Sequence, residues 1–296
     1  MPRHVMYPGV SIALFCGLAA CGHVERAPDA LTDAPFPTGS FSAPRRILEL
    51  ADPADDDDPT LTDDLLEIYF ASTRATGTAG NADIWRSTRL LVTDPWSTPV
   101  PVSELNTTTN DENPGIAGDG LTLWFSSNRD GNVDIYVSTR GARDQIWSPP
   151  VRVPDLSTAA DDLGAEPARS GLRIAVYGDG PRRLFESTRP SADALWSVPV
   201  PLTSLNVPDT ADNLSGFFVT DLEIWFASTR PGGAGMHDIY RAVRPSIDEP
   251  FGEPVPVAGL NGPSRDDDPW LSPDGHTVFF TSSITGNQEI YVAERP

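Results

Sequence analysis

A unit of about fifty residues recurs five times in this chain, and that period constrains the fold more than any other feature of the sequence. The clearest copy occupies residues 110–158. It opens Asn110-Asp111-Glu112-Asn113-Pro114 and passes a Gly118-Asp119-Gly120 turn into the apolar run Leu121-Thr122-Leu123-Trp124-Phe125. A second turn, Asn128-Arg129-Asp130-Gly131-Asn132, leads to Asp134-Ile135-Tyr136-Val137. The copy closes with Trp147-Ser148-Pro149-Pro150-Val151-Arg152-Val153. Four short strand candidates separated by turn residues form one sheet of a repeating all-β array.

Two columns fix the register of the copies. The third strand reads Asp83-Ile84-Trp85, Asp134-Ile135-Tyr136, Arg183-Leu184-Phe185, Asp238-Ile239-Tyr240 and Glu289-Ile290-Tyr291, in steps of 51, 49, 55 and 51 residues. The second strand carries Ile68, Leu123, Ile174, Ile224 and Val278. Two places on stand Phe70, Phe125, Val176, Phe226 and Phe280, with mostly large apolar residues between. Strands apolar on both faces are buried on both faces, as in sheets that pack side by side around a ring. The fourth strand is marked by an aromatic, prolines and a final Leu, at 96–105, 147–156, 196–205 and 251–260. No such segment follows Tyr291, but one precedes the first copy at 41–50. An open ring would expose unpaired edges and two apolar faces. The expectation is therefore a single five-bladed β-propeller over 41–296, its last blade completed by the N-terminal strand. Pro99, Pro101, Pro149, Pro150, Pro199, Pro201, Pro254 and Pro256 fall in the fourth strands, where a missing N–H suits an edge.

These motifs carry a resemblance. The Pro-x-x-x-x-Asp-Gly turn (Pro269 to Gly275), the Phe-x-Ser-x-Arg strand end and the Asp-Gly-Asn…Asp-Ile-Tyr hairpin resemble the WD40-like propeller repeat of TolB-type periplasmic proteins. The resemblance covers about 41–296; the third and fourth copies lack the Pro or the Asp-Gly turn. It implies a protein-binding scaffold of the cell envelope.

Residues 1–21 resemble a bacterial lipoprotein signal, with Arg3 as the basic region, a short apolar stretch from Val10 to Ala20 and the lipobox Leu18-Ala19-Ala20-Cys21. That resemblance implies cleavage before Cys21, lipidation of Cys21 and attachment to the membrane through the lipid alone. The apolar stretch is too short for a transmembrane helix. Gly22 stands where an Asp would retain such a lipoprotein at the inner membrane, which points to the outer membrane. Residues 22–40, rich in Pro, Ala and Asp, read as a flexible tether.

The net charge is −21, and every basic residue is Arg. Such acidity argues against nucleic acid and anionic lipid as partners, and the absence of Lys removes Schiff-base chemistry. The acids gather at the entry to each first strand: Asp55 to Asp58, Asp111 and Glu112, Asp161 and Asp162 with Glu166, Asp212, and Asp266 to Asp268. Blade geometry puts them around one mouth of the central channel, with Asp57, Asp58, Asp111, Glu112, Asp161, Asp162, Asp212, Asp267 and Asp268 as the candidate binding residues. They can cap turns or pair with Arg74, Arg129 and Arg230 at the ends of the second strands. They can also form a docking face for a basic partner or hold a cation; no other cofactor is expected. The rival class is a carbohydrate-binding or glycoside-cleaving propeller, since five-bladed propellers also house such proteins. A glycosidase needs two converging carboxylates. No acid stands apart from its repeat equivalents, and Gly115, Ile116, Phe217 and Leu271 place none deeper in the channel, so no residue is assigned as catalytic. His237 and His276 lie on different blades and read as exposed turn residues. The recurrent Trp96, Trp147, Trp196 and Phe251 read as packing at the blade rim.

Overall fold

The computed structural model describes residues 37, 39–75, 81–178 and 182–296. The expected signal over 1–21, with Cys21, and most of the expected tether at 22–40 lie outside the described residues. The described chain folds into five antiparallel four-stranded sheets. Blade one comprises Asp56–Leu61, Glu67–Ser72, Asp83–Thr88 and Val100–Pro101; blade two Asp111–Ile116, Thr122–Ser127, Asp134–Thr139 and Val151–Arg152. Blade three comprises Asp162–Pro167, Arg173–Gly178, Arg183–Thr188 and Val200–Pro201; blade four Asn213–Thr220, Glu223–Ser228, Asp238–Val243 and Val255–Pro256. Blade five takes Asp266–Leu271, Thr277–Ser282 and Glu289–Glu294 from the C-terminal end and Arg45–Arg46 from the N-terminal end. The first strands of successive blades touch in order around the ring, so they line its axis. One short 3₁₀ turn, Pro154–Leu156, is the only helix among the described residues.

Closure follows the expected route. Arg45 pairs with Val292 and Arg46 with Tyr291, while the Ile47 and Ser42 N–H groups donate to the Ile290 and Glu294 carbonyls at 3.0 and 2.7 Å. An Arg46–Glu289 ion pair at 2.6 Å reinforces the seam. The outer strands are shorter than the sequence signature, two paired residues each. The next backbone N–H, of Val102, Val153, Leu202 or Val257, still donates to the third strand, and a side chain in the following turn continues the pairing. Asn106, Asn206 and Asn261 each accept from and donate to the backbone of the third strand, at Ile84, Leu184 and Ile239.

The apolar columns of the second strands are fully buried between sheets, as their two-faced pattern requires. The aromatic column is buried too, together with Phe41, which opens the N-terminal segment that completes blade five. An arginine ends each third strand: Arg89, Arg140, Arg189, Arg244 and Arg295. Each lays its guanidinium over the aromatic of its own blade, 4.2 to 4.7 Å from the ring centre. Each also donates to a carbonyl in the first hairpin of the blade, at Leu65, Gly120, Gly171, Asp221 and Gly275. This clasp ties the third strand, the outer strand and the first hairpin together on the face opposite the acidic mouth. Stacking desolvates the cation against a π-face, and the carbonyls satisfy its N–H donors.

Candidate functional site

The acids of the mouth divide by their place in the first strand. The residue just before the strand is a latch between blades. Asp55, Asn110, Asp161 and Asp212 accept from the backbone N–H of Gln288, Ala82, Val133 and Arg182 in the preceding blade, at 2.8 to 3.3 Å. The first residue of the strand braces its own blade. Asp56 and Asp111 each take an arginine at 2.5 Å, Arg74 and Arg129, while Arg230 finds Asn213 at 2.9 Å instead of Asp212. Asp162 and Asp266 accept from the N–H groups of Thr158 and Gly262 at 2.6 and 2.7 Å. Asp111, Asp161, Asp162 and Asp212 are thus engaged in holding the ring.

The second and third residues face inward. At the third place Asp58, Asn113, Ser215 and Asp268 adopt φ of 52 to 54°, and the register to the second strand shifts there in every blade. This bulge breaks the alternation of the strand and aims the third side chain at the axis. Gly164 takes the place in blade three, where a Cβ would collide with the Tyr177 ring. Asp58, Asn113, Gly164, Ser215 and Asp268, with Glu166 and Tyr177, line a cavity on the axis. About 40 Å³ is open to the centre of a water-sized sphere, room for a few waters at about 10–15 Å³ each.

Charge around this cavity is one-sided. Blades five, one and two supply Asp267, Asp268, Asp57, Asp58 and Glu112; blades three and four have Leu163, Gly164, Leu214 and Ser215 at those places. Asp267 is fully buried and compensated, by Arg265 and by His237 Nδ1 at 2.9 Å. His237 is accordingly not an exposed turn residue; His276 is exposed, beside the Arg295 carbonyl. Asp57 accepts only from Gln288 Nε2, at 3.2 Å, among the hydrogen bonds found. Asp58 and Asp268 stand side by side: the Asp58 N–H donates to Asp268 Oδ2 at 3.4 Å, and Ser215 donates to the other Asp268 oxygen. Burial, then the charge of Asp268, pushes Asp57 and Asp58 well above the usual carboxylate range. Burial likewise raises Asp268 and Glu112.

The channel is blind. Glu166 crosses its floor from blade three to accept from Thr60 Oγ1 of blade one at 3.1 Å, passing over Gly115, whose Cβ would stand 2.7 Å from its carboxylate. Burial pushes Glu166 well above its ordinary pKa. Below it Arg169 bonds Asp63 at 3.1 Å and the Val219 and Leu271 carbonyls, and stacks on Phe217 and Trp270. An acid does therefore lie deep in the channel, contrary to the expectation from Gly115, Ile116, Phe217 and Leu271. A signal existed: Glu166 occupies the column of Thr60, Gly115, Phe217 and Trp270, and Arg265 that of Asp55, Asn110, Asp161 and Asp212. Among the described residues no group of three or more His, Cys, Asp or Glu is arranged to hold a metal ion.

No family model matches the chain, and no curated protein matches its sequence. Solved structures do. TolB from Acinetobacter baumannii superposes with a TM-score of 0.52 at 17% identity, over 83% of this chain and 56% of that one, so the chain spans little more than half of TolB. A thermostable family-43 glycoside hydrolase gives 0.56 at 15% identity, over 84% and 91%. The catalytic domain of a GH62 α-L-arabinofuranosidase from Coprinopsis cinerea gives 0.60 at 10% identity, over 88% and 98%. The fold is that of the five-bladed β-propeller. TolB and glycoside hydrolases are both among the similar structures, so function must be argued from the site.

Proposed function

We propose that this chain is a binding propeller of the bacterial cell envelope, anchored through Cys21, whose channel mouth receives a basic side chain of a protein partner. The observation that carries the reading is the pair Asp58 and Asp268, set side by side with Asp57 and Glu112 at a blind cavity. Of the nearby cations, Arg265 is committed to Asp267 and Arg169 to Asp63 and two carbonyls, while Arg182 of blade three acts on Glu112 and Tyr177 and leaves the Asp58–Asp268 pair to an incoming charge. Crowded carboxylates in a low-dielectric pit favour an incoming positive charge. The cavity suits the end of one ammonium or guanidinium group, and the described side chains offer no metal-ligand cluster.

The test is capture from native envelope with the wild-type chain and with Asp57→Asn/Asp58→Asn. The wild type should retain a partner in low salt and release it as salt screens the contact. The double variant should bind at least tenfold more weakly; equal retention would refute the site. Anchoring has its own test: Cys21→Ser should release the chain from membranes or leave its signal uncleaved.

A second reading, a carbohydrate-active propeller, is favoured by Glu166 alone. A buried carboxyl whose pKa is raised by burial, near a carboxylate pair, has the chemistry of a general acid. Turnover on a panel of plant and bacterial glycans, abolished by Glu166→Gln, would establish that reading in place of the first.

A further inference from the structure

The face opposite the acidic mouth carries a repeated apolar rim. On this face the third strand of each of blades one to four turns back to its outer strand. These connections expose Leu90, Leu91, Ile146, Leu195 and Ile247, from 55% for Ile247 to 87% for Leu90. The arginine clasps fix their position, because Arg89, Arg140, Arg189 and Arg244 open the connections and bond the first hairpins of the same face. Exposed apolar side chains on the same connection of four blades, at equivalent places in blades two and three (Ile146 and Leu195), mark an interaction surface more than isolated exposed residues do. In blade five the incoming N-terminal chain takes the place of the connection. Phe41 lies under Arg295, the Ser42 N–H donates to the Glu294 carbonyl, and Gly39 sits beside Pro296. The chain that leads back to Cys21 therefore leaves from the apolar face.

We infer that this face rests on the lipid bilayer, an inference that stands on the reading of Cys21 as the anchor. Seventeen residues lie between Cys21 and Gly39, and 18 chain steps reach at most about 65 Å when fully extended. A leash that short, attached at the edge of this face, holds the face at high effective concentration near the membrane. Leu, Ile and Val side chains at loop tips then enter the interfacial region, while the acidic mouth points away from headgroups that would repel it. The same loops carry Asp94, Asp144, Asp193 and Asp248, so the contact is with a zwitterionic surface and weakens as anionic lipid is added.

Hydrogen exchange tests this on the full-length lipidated protein reconstituted in phosphatidylcholine vesicles. Backbone amides at 89–95, 140–146, 189–195 and 244–250 should exchange several-fold more slowly than in the variant Leu91→Ser/Ile146→Ser/Leu195→Ser on the same vesicles. Amides at 128–133 and 283–287 on the mouth face should not differ, and vesicles with half phosphatidylglycerol should reduce the protection. A chain that floats with the vesicles but shows no difference between the faces overturns this inference and leaves the anchor standing. A chain that does not float overturns the anchor and this inference together. Protection that grows with protein concentration in the absence of vesicles would assign the rim to a second copy and overturn the membrane assignment.

Discussion

Asp58 shows how one side chain carries both the proposed function and a stability cost. Its backbone is in the left-handed region, which Asn tolerates well, and blade two already has Asn113 at the equivalent place with the same φ. Asp58→Asn therefore preserves the bulge and removes only charge. Asp57 and Asp58 bind their protons more tightly in the folded state than at the ordinary value of 3.8. Between that value and their raised folded values the native protein holds more protons than the unfolded chain, so stability falls as pH rises through this window. Asp64 and Asp274 act in the opposite sense. Despite partial burial, hydrogen bonds from Thr62 and Arg143 to Asp64, and from Ser272 and His276 to Asp274, hold both below 3.8; their contribution is lost only as pH falls further. The melting temperature should accordingly be higher in mildly acidic buffer than at neutral pH. Asp58→Asn should melt higher than wild type at neutral pH and flatten the decline. A variant that melts lower at every pH would make Asp58 a structural carboxylate.

The recurrent element is the clasp of an arginine on an aromatic, and its five copies are not equivalent. Arg140 is wholly buried. It bonds the Gly120 and Arg143 carbonyls and reaches into blade one to meet Glu67 at 2.6 Å. Arg89 bonds the Leu65 carbonyl at 2.8 Å and has no carboxylate partner among the ion pairs found. Arg140→Met leaves Glu67 with Arg86 at 3.2 Å and the Tyr69 hydroxyl but without its closest cation, and should cost up to about 3–5 kcal/mol. Arg89→Met loses stacking and one hydrogen bond, about 1–3 kcal/mol. Urea unfolding of the two variants side by side measures the difference; equal losses would show that the Glu67 pair adds nothing to the clasp.

At the scale of the whole molecule, the seam in blade five decides whether the ring exists. Phe41 packs edge-on against Trp225 of blade four, 6.0 Å between ring centres, as well as under Arg295, so it joins two blades where the chain ends meet. Phe41→Ala should destabilise the domain by about 3–5 kcal/mol, the usual cost of emptying a buried aromatic site. Deleting residues 41–50 removes the outer strand itself and exposes the edge of Glu289–Glu294. That variant should melt far lower and associate through the bare edge. Light scattering and a melting curve check both, and a deletion variant that melts like the parent would mean that the ring closes without this strand.

The sequence by itself determined the blade count, the strand columns and the seam, because each depends on a local pattern repeated five times. Ile68, Leu123, Ile174, Ile224 and Val278 announce strands buried on both faces whatever the rest of the chain does. It also suggested that acids of the mouth brace the second-strand arginines, and the structure decided which: Asp56 with Arg74 and Asp111 with Arg129. Tertiary structure decided the site. The left-handed residue at the third place of the first strands redirects Asp58 and Asp268 to the axis, and simple alternation would not aim them there. Ring closure sets blades five and one side by side, which turns residues some two hundred positions apart into one carboxyl pair. The same closure lets Glu166 reach Thr60 above Gly115. Side chains that meet only across a channel have no spacing in sequence, so their meeting is fixed by the geometry of the ring.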